Sequence, residues 1–373
     1  MNAAVDTPDP VLRRLVDQIR AAGADGTALD IRGGGSKAFY GGPPRGEALD
    51  LRVLCGISSH EPTELVVTVR AGTPLAELEA ALGEHGQCLA FEPPRFGGDG
   101  ADHPGTVGGM VAAGLSGPAR ASAGAVRDHL LGATLLNGRG ELLTFGGQVM
   151  KNVAGYDVSR LMAGSMGVLG VLCEVSLKVL PLAVAQTTVE FERDAAQALA
   201  WLGAHRAQPL PLSASSWHQG RLRLRLSGAR AAVRSAAQQL GGQAIDANAA
   251  AAWWRSVRDQ TEAFFVFDAA ALAQGECLWR LSVPAAAPAL ELPGAQFIEW
   301  GGAQRWLRTT AAAAEVRAAA ARVGGHATLF RAADKSAGVF APLAPPLRRI
   351  HRQLKAAFDP AGVFNPGRLY ADL

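Results

Sequence analysis

The chain has 373 residues and a mass of 38.7 kDa, and 49% of its residues are hydrophobic while 18% are charged. At this length we expect about two or three domains with sizeable cores. The net charge is only +3, so the composition excludes a disordered polyelectrolyte and gives no electrostatic footprint for nucleic acid.

Neither a metal site nor a membrane segment is predicted. The four cysteines are 33, 85 and 104 residues apart, so there is no C-x-x-C pair for zinc or an iron–sulfur cluster, and we interpret them as reduced and mostly buried. The first ten residues contain two aspartates and no apolar core, unlike a secretory signal. Charged residues and a proline interrupt the most apolar stretch, residues 168–185, which argues against a spanning helix. We therefore expect a cytoplasmic chain.

The first part of the chain predicts helices and strands in alternation. Residues 11–22 carry the apolar stripe of an amphipathic helix. Thr73, with Pro74 as the first helical residue, predicts a second helix to about residue 82. Strands are expected over residues 28–31, 64–70, 133–136, 141–145 and 168–180. Residues 96–124 contain too much glycine for a conventional core element and suggest backbone laid along a ligand.

Beyond residue 181 the composition changes to alanine-rich helical windows that alternate with strand-like ones. The helices are expected over residues 195–202, 229–240, 311–323 and 347–358, and the strands over 187–192, 221–227, 278–283 and 327–331. This pattern predicts an α+β arrangement followed by a turn-rich C-terminal tail.

Glycine is concentrated in one region, since 28 of the 44 glycines lie between Gly33 and Gly170. An ordinary turn is the commoner reason for any single glycine, but Gly33-Gly34-Gly35-Ser36 has the form of a backbone nest for a phosphate. The chain has no G-x-x-x-x-G-K-[ST] motif, and the glycines at 164–170 precede a strand, so the P-loop and Rossmann alternatives fail. Further glycine-rich stretches at 104–124 and 155–170 suggest an extended ligand with two phosphates and two ring systems.

Several segments resemble the flavin-binding fold of the vanillyl-alcohol oxidase and p-cresol methylhydroxylase (PCMH) family. They are DIRGGGSKAFYGG at 30–42, VTVRAGTPLAELEAAL at 67–82, HPGTVGGMVAAGLSGPARASAGAVRDHLLG at 103–132, GSMGVLGVLCEVSLKVLP at 164–181 and the tail FDPAGVFNPGRLY at 358–370. The resemblance implies an α+β, two-subdomain PCMH-type FAD-binding fold with a shortened α/β cap domain. It implies an FAD-binding domain over residues 1–183, a cap for substrate or partner over 184–340, and a segment over 341–373 that returns to the FAD domain.

Within the family, residues 149–170 resemble the 2-hydroxy-acid branch, and the short second half is similar to the E-type flavoprotein subunits of bacterial glycolate oxidase. This resemblance implies a complex with a D-type flavoprotein and an F-type iron–sulfur subunit, acting on a small 2-hydroxy acid. It further implies that the chain reaches the inner face of the cell membrane only through those partners.

The resemblance also implies which residues contact FAD. The contact set covers the pyrophosphate loop and the segments along the flavin, the ribityl chain and the adenine half. It comprises Arg32, Gly33, Gly34, Gly35, Ser36, Lys37, Pro104, Gly105, Thr106, Val107, Gly108, Gly109, Gly114, Ser116, Gly117, Ala123, Gly124, Gly170, Val171, Asn365 and Arg368. A plain Asn-Pro turn is an equal alternative for Asn365.

Many relatives attach flavin covalently to a histidine in the first loop. Here the loop is Gly-Gly-Gly-Ser, so we expect FAD to be noncovalent, with His60 and His103 as the remaining candidates for attachment. His326 is the candidate substrate-side base, because imidazole titrates near neutral pH. Lys151, Tyr156 and Asp157 could contact substrate or form a solvated loop.

Relatives that oxidise hydroxy acids carry a larger cap with several histidines and a bound metal, and this chain has no such cluster. Three functions therefore remain open: an FAD-binding subunit that oxidises glycolate or relays its electrons, a self-sufficient 2-hydroxy-acid (D-lactate type) oxidoreductase, and a non-catalytic scaffold. The intact set of glycines argues against the scaffold, because a decayed site would tolerate side chains.

Overall fold

An antiparallel five-stranded sheet is the centre of the first part of the chain in the computed structural model, which describes residues 9–96, 105–148 and 156–373. The elements of this part are α1 Pro10–Asp25, β1 Leu29–Arg32, β2 Glu47–Asp50, β3 Ile57–Glu61, β4 Val66–Arg70, α2 Leu75–Glu84, β5 Gln87–Cys88, α3 Val107–Ala113, α4 Arg120–Ala123, α5 Val126–His129, β6 Leu130–Leu136, β7 Leu142–Gly146, α6 Val158–Met162, β8 Val171–Lys178 and β9 Leu180–Pro181. The strand order in the sheet is β3-β4-β8-β6-β7, and two short pairs, β1-β2 and β5-β9, lie outside it.

Strand β8 is buried on both faces, which explains its nearly continuous apolar run. Val171 and Cys173 join a core beneath α1, whereas Leu172 and Val175 join a core beneath α2 and α3. The strand is thereby held between two helical layers, and the sheet has little exposed surface at its centre.

An antiparallel eight-stranded sheet organises the second part, in the order β13-β10-β12-β11-β15-β16-β14-β17. Its elements are β10 Ala185–Glu192, α7 Ala195–His205, β11 Leu212–His218, β12 Arg221–Gly228, α8 Arg230–Leu240, β13 Gln243–Ala244, α9 Ala247–Asp259, α10 Ala269–Ala273, β14 Cys277–Ser282, β15 Ala295–Glu299, β16 Gln304–Thr309, α11 Ala313–Arg322 and β17 His326–Arg331. Strands β11, β15 and β16 and helix α9 had no counterpart in the sequence prediction. The mixed α+β class is confirmed.

The C-terminal segment packs against the first part of the chain. Helix α12 spans Pro345–Phe358, and Phe358 contacts the core beneath α2 and α3. Phe364 then forms a parallel bridge to Leu29 in β1, so the C-terminal tail meets the strand that leads into the glycine loop.

Three local predictions were wrong. Residues 107–113 form a helix, α3, whose Val107 and Met110 are buried in the core, because Gly108 lets the helix approach Ala71: a Cβ there would lie 2.7 Å from the Ala71 Cβ. Pro74 is the N-cap of α2 and not its first helical residue. The cysteines are not mostly buried, since only Cys173 is buried and Cys55 is exposed.

Candidate functional site

A cleft with an empty volume of about 1060 Å³, counting its part open to solvent, lies beside the glycine loop. Its walls come from the end of β1 and the loop after it, from α3, from the turn before β8 and from the C-terminal tail.

The loop presents a row of unused hydrogen-bond donors. Within the described parts of the chain, the backbone N–H groups of residues 33–37 donate to no acceptor. Gly35 has a φ of +72°, and a Cβ on Gly33 would overlap Thr106 Oγ1 and lie 2.9 Å from its Cγ2. Glycine is therefore required here both by conformation and by space, and the result is a nest of N–H groups of the kind that binds anions.

Lys37 adds a positive charge to this nest. Its Nζ is 3.4 Å from Ser36 Oγ and 5.9 Å from the centre of the Phe96 ring, and it forms no ion pair with any carboxylate of the described residues. Burial alone lowers the pKa of Lys37 to about 8. An ammonium group that is desolvated and unpaired in this way favours an anionic ligand.

Arg368 holds the outer part of the loop through backbone carbonyls. Its guanidinium donates to the carbonyl oxygens of Ala38, Tyr40 (2.7 Å) and Gly42, while Gly42 N–H donates back to the Arg368 carbonyl over 2.9 Å. Lys335, from the second part of the chain, donates to the carbonyls of Phe39 and Gly41. Residues 38–42, which follow the nest, are thus held in place by two cationic side chains that bind their carbonyls.

Asn365 fixes the base of the loop. Its Oδ1 accepts from Ile31 N–H over 2.7 Å and its Nδ2 donates to the Met166 carbonyl over 2.7 Å. The side chain is buried, and its backbone has a φ of +43°. Asn365 therefore joins β1, the turn before β8 and the tail through specific bonds, which is more than a plain Asn-Pro turn provides.

Most residues of the expected FAD contact set meet at the cleft. Those that line it are Arg32, Gly33, Gly34, Gly35, Ser36, Lys37, Thr106, Gly108, Gly109, Gly170, Asn365 and Arg368. Gly105 is adjacent, since a Cβ on it would lie 3.2 Å from Ser36 Oγ and 3.3 Å from Lys37 Nζ. Pro104, with His103 and Lys151, lies outside the described residues.

The other members of the set do not line the cleft. Val107 and Val171 are buried in the cores, and the Val107 N–H donates to the Thr73 carbonyl. Gly114 and Gly124 cap the ends of α3 and α4, and Ala123 precedes the second of these caps. Ser116 and Gly117 line a second, smaller cavity instead. Helix caps require glycine as strongly as ligands do, so the sequence alone does not separate these two roles.

Other residues line the cleft that were not among the FAD contacts predicted from the sequence motifs. They include Asp30, Ile31, Ala38, Pro44, Leu51, Ala112, Ala113, Met166, Gly167 and Leu172. The signal for Gly167 was present in the segment GSMG: its φ is +75°, and a Cβ there would lie 2.6 Å from Asn365 Nδ2.

The candidate polar residues away from the glycine loops lie apart from the cleft. His326 begins β17, where burial and the charge of Arg280 lower its pKa. His60, on β3, hydrogen-bonds Gln87 Oε1 over 2.9 Å. Tyr156 is 96% exposed, and Asp157 caps α6. No histidine of the described segments lines the cleft, and in those segments no group of histidine, cysteine and acidic side chains could hold a metal ion.

Comparisons with known proteins agree with this geometry. A family model described as an FAD binding domain matches residues 12–146. Glycolate oxidase subunit GlcE of Escherichia coli (strain K12) is 47% identical over 96% of this chain and 97% of its own length. D-lactate dehydrogenase of Archaeoglobus fulgidus is 32% identical over 40% of this chain and 33% of its own. An alkyldihydroxyacetonephosphate synthase structure, 14% identical, superposes with a TM-score of 0.63 over 95% of this chain and 74% of that one, which shows a shared fold.

The fold and the cleft define a flavoprotein with a PCMH-type FAD-binding domain. The residues fit this cofactor. In the ranges that the structure describes, the N–H groups of residues 33–37 have no acceptor and Lys37 has no carboxylate partner, and glycines without room for a Cβ line the same cleft, all of which suits a pyrophosphate. The chain belongs to the family of glycolate oxidase subunit GlcE, among the FAD-dependent oxidoreductases. Among the helices that the structure describes, none is both long and apolar enough to span a bilayer.

Proposed function

We propose that this chain is the FAD-binding subunit of a multi-subunit enzyme that oxidises glycolate to glyoxylate. The observation that carries the proposal is the loop at residues 33–37, which lines one cleft. Among the described residues, its N–H groups have no acceptor and the partly buried Lys37 ammonium has no carboxylate partner. When bound, FAD supplies the two-electron redox chemistry, and the protein supplies position and electrostatics.

The residues of the cleft would have different roles in binding FAD. Backbone N–H groups of residues 33–37 donate to the pyrophosphate, and the Lys37 ammonium balances its charge. Asn365 and Arg368 act as positioning residues, because their hydrogen bonds go to the backbone that forms the loop. Gly108 and Gly109 let α3 lie against the ligand with no side chain between them.

The FAD is noncovalent in this proposal. Covalent flavins need a nucleophilic side chain such as histidine beside the ring, and the loop offers Ser36 in a Gly-Gly-Gly-Ser sequence. His60 is held by Gln87 on β3 and lies outside the lining of the cleft.

Electrons would leave the chain through partner subunits, a D-type flavoprotein and an F-type iron–sulfur protein. One observation supports this: the relative that matches nearly the whole chain is itself named a subunit. The partners would also provide contact with the cytoplasmic face of the membrane.

Co-expression with the two partners tests the proposal. A tagged chain should retain both partners through gentle purification, and the complex should reduce an artificial acceptor when glycolate is added. The matched Gly33→Ala complex should assemble with less flavin and lose most of that activity. A chain that purifies alone, with glycolate oxidation undiminished in its absence, would overturn the proposal.

A second candidate is a self-sufficient 2-hydroxy-acid oxidoreductase. It is favoured by the partial match to an enzyme named D-lactate dehydrogenase, which is 32% identical over 40% of this chain. This candidate predicts that the isolated chain bleaches its flavin under anaerobic conditions with glycolate or D-lactate. Failure to bleach with either acid eliminates it and leaves the subunit function standing.

A further inference from the structure

The first half of helix α12 is not covered by the rest of the described chain. Residues 345–350 are all exposed, whereas in the second half Lys355 is buried, and Leu354 and Phe358 pack against the core beneath α2 and α3. A helix that packs on a protein surface normally buries one face along its length. The first turns of α12 therefore extend past the core on which its later turns rest.

The apolar face of α12 continues into this exposed half. Leu347, Ile350, Leu354 and Phe358 follow one another at spacings of three and four residues, which places them along one face of the helix. Leu354 and Phe358 contact the core, but Leu347 is 51% exposed and Ile350 is 47% exposed. The same stripe is thus covered at one end and open to solvent at the other, and an apolar patch with a polar rim is typical of an interaction site.

Arginines surround the open end of the stripe. Arg348, Arg349 and Arg352 are exposed and line a surface groove together with Leu343. The helix itself contains no acidic residue. The one carboxylate that pairs with these arginines in the described ranges is Asp372, at 2.9 Å from Arg348 Nε and 2.7 Å from Arg352 Nη2, and Arg349 forms no ion pair there. Three guanidinium groups with one carboxylate leave this surface positively charged.

We propose that the open half of α12 docks another subunit of the enzyme, which presents an amphipathic helix with acidic residues beside its apolar face. The apolar face of that helix covers Leu347 and Ile350, in the manner of helix-in-groove complexes. Its carboxylates bond Arg349, because a guanidinium matches a carboxylate in bidentate geometry. The inference rests on the proposed function and deepens it, since it names the surface through which the chain joins the complex.

Charge argues against a second copy of this chain as the occupant. Two copies related by a two-fold axis present the same patch to each other, so Arg348, Arg349 and Arg352 would lie near the same arginines of the other copy. Like charges that are opposed in this way disfavour association. A partner with acidic residues has no such cost.

The patch is also a poor fit to a lipid surface. Binding of an amphipathic helix to a membrane grows with the apolar area that it buries and with its attraction to anionic lipids. Here Leu354 and Phe358 already pack against the core, and Asp372 pairs with two of the three arginines. The relative that matches nearly the whole chain is itself named a subunit, which favours a protein as the occupant.

Co-expression of the tagged full chain with the D-type and F-type subunits tests the surface. Leu347→Asp/Ile350→Asp removes the apolar contact and should lower the amount of at least one retained partner by about 10-fold or more, because a few central contacts dominate the affinity of an interface. Val184→Asp/Val266→Asp is the matched control, since both valines are exposed and lie outside α12, and it should retain both partners. Full retention by the α12 variant, or an equal loss in the control, would overturn the inference.

A charge reversal tests the acidic character of the partner independently. Arg349→Glu should lower retention of the same partner by about 5-fold or more, because it opposes like charges. Raising the salt concentration should weaken retention by the unmodified chain. Arg234→Glu, at an exposed arginine of α8, is the matched control and should behave as the unmodified chain does. Unchanged retention by Arg349→Glu would contradict an acidic partner.

Two measurements on the isolated chain test the other occupants. We expect no flotation with vesicles of phosphatidylcholine and phosphatidylglycerol, and the sedimentation coefficient of a monomer. Flotation that Leu347→Asp/Ile350→Asp abolishes would overturn the inference in favour of a membrane, and a dimer that this variant dissociates would overturn it in favour of a second copy.

Flavin content separates this inference from the proposed function. The α12 variants should keep the FAD content and the urea midpoint of the unmodified chain, because residues 345–350 are exposed and do not line the cleft. Full retention of both partners by every variant would refute the surface and leave the subunit function intact, whereas an unmodified chain that retains neither partner would refute both.

Discussion

Asn365 Oδ1 accepts a hydrogen bond from the backbone N–H of Ile31 over 2.7 Å, across 334 residues of sequence. Ile31 lies in the strand that leads into the glycine loop, so the C-terminal tail determines where the proposed pyrophosphate site begins. The C-terminal tail therefore forms one wall of the proposed FAD site.

Asn365→Ala should reduce both stability and FAD retention. The substitution leaves Ile31 N–H and the Met166 carbonyl without their partners, and each unsatisfied buried group costs about 1–3 kcal/mol. Urea unfolding measures the first effect, and the ratio of flavin to protein absorbance measures the second. The control Asn248→Ala, at an exposed position of α9, should change the free energy of unfolding by no more than about 0.5 kcal/mol. Equal stability of the two variants would contradict the role of Asn365.

Gly33→Ala should weaken FAD binding by about 10-fold or more, because the added methyl group overlaps Thr106 Oγ1 and displaces a loop that makes charge-assisted bonds. Fluorescence quenching during FAD titration of the apoprotein measures the affinity. Gly203→Ala is the matched control, since a Cβ on Gly203 meets nothing within 4 Å in helix α7. That variant should bind FAD normally and gain about 0.5–1 kcal/mol of stability.

FAD affinity should fall as the pH rises above about 8. The pKa of Lys37 is about 8 in the free chain, and a bound pyrophosphate raises it. Below pH 8 the ammonium is already protonated and the affinity is flat. Above pH 8 binding must take up a proton, so the affinity falls by up to about 10-fold per pH unit until the pH passes the raised pKa.

Lys37→Arg is the control for this pH profile, because a guanidinium stays protonated throughout the range. The arginine variant should bind with little change between pH 8 and 9.5. Lys335, which holds the Phe39 and Gly41 carbonyls, also has its pKa lowered to about 8, mainly by burial. A slope that persists in Lys37→Arg would assign the titration to Lys335 and contradict the role of Lys37.

Lys355→Met should destabilise the chain by about 3–5 kcal/mol, because it leaves the buried Asp359 carboxylate without its cation. Lys355 Nζ donates to Asp359 Oδ2 over 2.7 Å and to the carbonyls of Val168 and Phe364. Arg352→Met breaks an exposed pair with Asp372 and should cost at most about 1 kcal/mol. Urea unfolding of both variants checks the contrast, and similar losses in the two would contradict it.

Sequence patterns predicted the helices and strands in which the buried residues recur with the regular period of a helix or a strand. In β12 the sequence RLRLRL alternates, and Leu222, Leu224 and Leu226 are all buried. In α1, Asp9 caps the start and Gly26 the end, as capping rules require. The family resemblance further predicted which residues line the cleft, because most of the glycine motifs that it identified lie on the walls of the cleft.

The missed elements are those in which tertiary contacts override the pattern. Strand β16 has no apolar alternation because Arg305 and Gln304 are both buried, and Arg305 is satisfied by the carbonyls of Gly302, Ala287 and Pro288. The second cavity, which Arg280 and Glu299 help to line, could not be predicted from sequence spacing. These two residues lie on strands that are separated by a third strand formed later in the chain. Only the sheet order brings them together.

The visible spectrum of the purified chain, before and after acid precipitation, tests the central claim that this chain holds noncovalent FAD. The account predicts flavin bands in the native protein and, after precipitation, all of the yellow colour in the supernatant, identified as FAD by chromatography. Colour that stays with the pellet would contradict the noncovalent site, and a folded protein that is colourless and takes up no added FAD would contradict the flavin site itself.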